Sequence, residues 1–136
     1  MPKITPHEAL IYIMITMSAV DRQISDHELE RIGQIVRQLP VFMGYDFDSL
    51  ANAAERCGEL LSREDGLDEL LELVAAALPK KLYETAYALA AEVAAADLRV
   101  PVEEIRFLEL LRDALHLNKL DTAAIERCIR ARHQTI

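Results

Sequence analysis

The sequence predicts an all-α fold, a single domain spanning residues 1–136 with about seven helices. Three observations lead there. Only four of the 136 residues are Gly while 51% are hydrophobic, and Ala, Leu, Glu and Arg dominate, so the chain has the composition of a helical protein with its own core and not of a disordered one. Apolar residues recur at helical spacing behind recognisable helix starts. No segment alternates with period two for long enough to make a strand. This length suits one core and is too short for two ordinary domains.

The elements follow in order. Thr5-Pro6-His7-Glu8 supplies a cap, a Pro at the first helical position and a Glu at the third, so the first helix is predicted from about Pro6 to Val20. Ser25-Asp26-His27-Glu28 is a second capping box, followed by Leu29, Ile32, Ile35, Val36 and Leu39 on one face, and that helix ends before Pro40. A loop through Gly44 leads to Asp46 or Asp48 as the cap of a third helix, which runs to about Leu61. Asp65-Gly66 breaks the chain before a fourth helix, Leu67 to Leu78, which stops at Pro79. The fifth, Lys80 to Ala96, carries the run AYALAAEVAAA; side chains this small let neighbouring helices approach closely, which predicts a central position. Pro101 opens a sixth with Ile105, Leu108, Leu111 and Leu115 on one face, and Asp121 or Thr122 caps a seventh reaching about Arg132.

Charge excludes several function classes. A formal net charge of -8 is wrong for neutralising phosphates, so nucleic acid is not an expected partner, nor is a polybasic membrane contact. Arg127, Arg130, Arg132 and His133 gather near the C-terminus, where the helix dipole alone favours cations. The apolar run Ala9 to Val20 is shorter than the roughly 20 residues a membrane span needs. It also follows Glu8 and runs into Asp21-Arg22, unlike a signal peptide. Cys57 and Cys128 have no CxxC or metal-ligand spacing, so reduced thiols in the cytoplasm are expected, with a single disulfide as the alternative.

The chain repeats itself. At an offset of 76, Ala19, Asp21 and Glu28 meet identical Ala95, Asp97 and Glu104, while Ile24, Leu29, Ile32 and Ile35 meet Val100, Ile105, Leu108 and Leu111. A register held this long indicates two related helical hairpins, about residues 5–39 and 80–116, each a mostly apolar helix, an acidic corner and an amphipathic helix. The expected arrangement is a pseudo-two-fold pair around one core.

These corners, Asp-x-x-apolar-x-x-x-Glu-apolar in each copy, resemble those of the TerB-like tellurite resistance proteins, whose corners usually read Ala-Asp-Gly-x-(Val/Ile)-x-x-x-Glu. The resemblance covers both repeats. It implies an all-helical domain, a link to tellurite resistance and stress responses near the membrane, and a divalent cation held at the positions of Asp21, Glu28, Asp97 and Glu104. The chain departs from the pattern at the Gly of each corner, where Arg22 and Leu98 stand. Arg22 and Arg99 also bring a guanidinium beside each corner, which competes with a metal for the carboxylate.

Two readings compete for the four carboxylates. Hard cations such as Ca²⁺, Mg²⁺ or Mn²⁺ take several oxygens, and a helix-to-helix corner can aim an Asp and a Glu at one point; Zn²⁺ is also among the candidate ions. Against that, Glu28 stands at the third position of a capping box, Glu104 in the matching first turn, and Asp21 and Asp97 suit turns. Glu92 interrupts the Ala-rich helix and is expected to pair with an arginine. His7, His27, His116 and His133 lack metal spacing and are expected at the surface, and Tyr83 and Tyr87, one turn apart, are expected in packing. No nucleophile-base-orienter set and no phosphate-cradling loop is present, so the expectation is a non-enzymatic domain. It either binds a divalent cation through its corners or acts metal-free as an interaction or scaffold domain for an unknown protein partner, a homodimer being one version.

Overall fold

A computed structural model describes residues 3–19, 24–96 and 102–136. Among them are seven α-helices: α1 Pro6–Ala19, α2 Asp26–Gln38, α3 Leu50–Leu61, α4 Gly66–Ala77, α5 Tyr83–Ala95, α6 Val102–Ala114 and α7 Lys119–Arg132. No strand occurs among the described residues.

α1 is the centre of the molecule. Ten consecutive residues, Ala9 to Ser18, are buried, as expected of a helix apolar on every side. It packs on α2, α3, α4 and α5, while α5 packs in turn on α1, α6 and α7. The Ala-rich helix is thus central, as predicted, but it shares that place with α1. Ala86 and Ala90 in α5 are fully buried, and their small side chains allow the close approach. Phe107, Leu111 and Leu115 close the core from the α6 side. No described helix is long and apolar enough to cross a membrane.

Both predicted capping boxes form. The Thr5 N–H donates to Glu8 Oε1 at 3.0 Å, and the Glu8 N–H donates to Thr5 Oγ1 at 3.1 Å. The Ser25 N–H donates to Glu28 Oε1 at 3.0 Å, and the Glu28 N–H to Ser25 Oγ at 3.2 Å. Two later caps differ from prediction. Asp46 accepts from the Asp48 N–H at 3.1 Å, but it caps a single 3-10 turn, Phe47–Ser49, which delays α3 to Leu50. α7 is capped by Asn118, whose Oδ1 accepts from the Asp121 N–H at 2.9 Å, not by Asp121 or Thr122. Asn118 precedes Asp121 by three positions, so Asp121 is the residue being capped. A 3-10 turn at Lys80–Leu82 likewise defers α5 to Tyr83.

Two helix ends depend on unusual backbone. α6 ends with His116 in the left-handed region, φ 53. There the Leu117 N–H donates to the Arg112 carbonyl at 3.0 Å and the His116 N–H to the Asp113 carbonyl at 3.2 Å, a Schellman closure that usually employs Gly. Between α3 and α4, a Cβ on Gly66 would lie 2.0 Å from the Leu60 carbonyl oxygen, so this close passage of backbone demands Gly.

The helix bounds follow the repeat. Adding 76 to the bounds of α2, Asp26 and Gln38, gives those of α6, Val102 and Ala114, and the same step takes the end of α1, Ala19, to the end of α5, Ala95. The corners themselves, with Asp21 and Asp97, lie outside the described residues.

Candidate functional site

α1 and α5 end, and α2 and α6 begin, around one cavity of about 200 Å³. Ser18 reaches it from the last turn of α1, Val93 and Ala96 from the end of α5, His27, Glu28 and Arg31 from the first turns of α2, and Glu104 from the first turn of α6. Glu28 and Glu104, 76 positions apart, therefore meet at a single space. Of the four carboxylates singled out by the repeat, these are the pair that the described residues bring together.

Their environments differ. Glu28 is half-buried and spends one oxygen on the capping box. A carboxylate offers about four lone-pair sites, so capping leaves the group able to accept elsewhere. Glu104 is only 7% exposed, and a carboxylate so removed from water is costly unless partnered. Both carboxylates have interaction partners. The positive ends of α2 and α6 favour negative charge here, while the carbonyl ends of α1 and α5 favour a cation between them.

Arg31 and Ser18 belong to the same lining and were not singled out by the sequence pattern. Arg31 Nη2 lies 3.3 Å from His27 Nε2 one turn earlier. A guanidinium only donates, so Nε2 accepts that bond. Spacing could have found Arg31, because it follows Glu28 by three positions on the same helix face.

The cavity is too small for an ordinary organic ligand, whose pockets run from roughly 300 Å³ upward, but its volume has room for an ion with several waters. Its carboxylates are hard donors. They fit Ca²⁺, Mn²⁺ or Mg²⁺, the last of which is commonly held by one or two carboxylates with water completing the shell. Among the described residues no group of three His, Cys, Asp or Glu is placed to hold a metal ion.

Other singled-out residues are structural. Glu92 is half-buried and pairs with Arg132 at 3.1 Å and His133 at 3.2 Å, the expected arginine partnership, which fastens α7 to α5. Tyr87 is buried and donates to Glu126 Oε2 at 2.8 Å, a second tie between the same helices. Tyr83 packs against the core. His27, His116 and His133 are exposed, as expected, while His7 is half-buried. Its Nε2 lies 2.8 Å from the Val41 carbonyl oxygen, and its ring packs against Phe42 and Tyr45, because α1 enters the core directly behind its cap. Cys57 and Cys128 are both free thiols, the first buried and the second exposed.

The sequence profile described as tellurite resistance protein TerB matches residues 7–127, nearly the whole chain. Searches of curated proteins and of solved structures return no match.

Proposed function

We propose that this chain, which belongs to the TerB family, is a small non-enzymatic domain that binds a hard divalent cation between its two acidic corners. The observation that carries the reading is the meeting of Glu28 and Glu104 at one cavity of about 200 Å³. The repeat extends the ligand set to Asp21 and Asp97, one Asp and one Glu from each copy. Two to four carboxylates with water suit Ca²⁺ or Mg²⁺. The family supports a role in tellurite resistance and stress response, with the bound ion setting the shape of the corners that a partner protein reads.

Calorimetric titration of Ca²⁺ and Mg²⁺ into the chelator-treated protein tests the reading. Saturable binding that Glu104→Gln weakens at least about tenfold is expected, a loss of about 1.4 kcal/mol. Binding untouched by Glu104→Gln contradicts it.

A second reading, a metal-free interaction or scaffold domain, has its own support. Val102 and Ile105 on α6 are 75% and 47% exposed. They stand three positions apart, on one face of that helix. If that face joins two copies, sedimentation analysis will find a dimer that Ile105→Glu dissociates, and a wild-type monomer at all concentrations removes the dimeric version.

A further inference from the structure

The apolar core is one contiguous cluster, and each of α1 to α6 places buried side chains in it, Ile32 and Val36 from α2 and Phe107 and Leu111 from α6 among them. α7 places none. Its two buried residues, Thr122 and Ile129, stand outside that cluster, and of its side chains Ile125 alone packs against it, half-buried. α5 is the helix on which it rests. Because α5 is rich in Ala, the two helices approach closely while little apolar area is removed from water. Polar ties supply the remaining hold. Tyr87 donates to Glu126 at 2.8 Å, and Glu92 meets Arg132 at 3.1 Å and His133 at 3.2 Å, with Arg132 63% exposed. Ion pairs so open to solvent contribute little.

We infer that α7 is a latch, which undocks from α5 and unwinds as one unit while α1 to α6 keep their fold. A 14-residue helix is marginal in water by itself, so leaving α5 and losing the helical hydrogen bonds are a single event. Units held by few buried apolar contacts open below the free energy of global unfolding. The chain from Leu115 to Asn118 is the hinge, with His116 at φ 53. Opening uncovers Tyr87 and Glu92 on α5, just ahead of Val93 and Ala96 in the cavity lining, so α7 gates that side of α5. The inference does not rest on the cation reading.

Native-state amide hydrogen exchange of the full chain, followed residue by residue by NMR spectroscopy at several low urea concentrations, tests the latch. The amides of Ile125 to Ile129 should open together, with one shared urea dependence, shallower than that of Ile11 to Ile15 in α1, and at least about tenfold less protection. Protection that only declines stepwise toward Arg132 is end fraying and overturns the latch, as does protection equal to that of α1. A core substitution remote from α7 separates the two openings. Ile32→Val removes one buried methyl group, which destabilises the closed and latch-open forms alike relative to the unfolded chain. Exchange in α1 should quicken about fivefold while exchange in α7 stays unchanged. Equal quickening in both helices would mean that α7 opens only with the whole molecule, and would overturn the proposal.

Discussion

Cys57 sits among Tyr12 and Thr16 with its sulfur 3.7 Å from the Tyr12 carbonyl oxygen and from Thr16 Oγ1. Burial pushes its pKa from the ordinary 9.0 up to about 12, because the thiolate would lose its hydration. Only Cys128 should therefore react with a maleimide at neutral pH, which mass spectrometry of the native protein reads as a single adduct. The shift also has a sign for stability. The folded state keeps a proton that the unfolded chain releases near pH 9.0, so this contribution is whole below that pH and lost as pH rises toward 12. Tyr87 acts in the same direction, raised by burial and then by its bond to Glu126. Urea midpoints should fall from pH 9.0 upward, less steeply in Cys57→Ala, and an unchanged slope in that variant would remove the thiol as the cause. His116 is the other residue with a local consequence. Its φ of 53 costs an L-residue about 1 kcal/mol, so His116→Gly should raise stability by up to that amount, offset in part by the freer unfolded chain.

Elements were legible where their signals are local. The boxes at Thr5 and Ser25 place the starts of α1 and α2 because acceptor and returning carboxylate stand three positions apart in the sequence. The starts of α3 and α5 were blurred by 3-10 turns, whose energetic difference from a first α-turn is small. Asn118 was passed over in favour of Asp121, although the two form one cap. The Asp65-Gly66 break was readable, but its cause was not. Gly66 is required by a backbone carbonyl from the preceding helix, a contact that composition does not reveal. Gly66→Ala should accordingly cost about 3 kcal/mol or more in chemical unfolding, whereas Gly58→Ala, with open space at its Cβ, should be neutral or stabilising. The ties from α7 to α5 differ in exposure, Arg132 standing largely in solvent and Tyr87 buried. Arg132 is 63% exposed, so Glu92→Gln should cost no more than about 1 kcal/mol, while Tyr87→Phe should cost about 1 kcal/mol through the stranded Glu126 carboxylate.

At the scale of the whole molecule, the repeat was the most informative signal. It anticipated paired hairpins, and the helix bounds keep its register to the residue at both ends of α2 and α6. It also named Glu28 and Glu104, but not their convergence. Whether duplicated corners lie together or apart depends on how α1 packs on α5, a long-range contact with no trace in either motif. Ser18 was illegible for the same reason, and Arg31 carried only its three-residue spacing from Glu28, with no sign of the cavity that both line. The central claim concerns that opposition, two carboxylates of separate repeats serving one cation. The most direct measurement is the melting temperature of the chelator-treated protein with and without millimolar Ca²⁺ or Mg²⁺, in the wild type and in a Glu28→Gln, Glu104→Gln variant. An ion bound by the folded state alone adds about 2.7 kcal/mol at a hundredfold excess over its Kd, so a clear rise in the wild type and none in the variant is predicted. A wild-type melting temperature unmoved by either cation, or one raised equally in the variant, would contradict it.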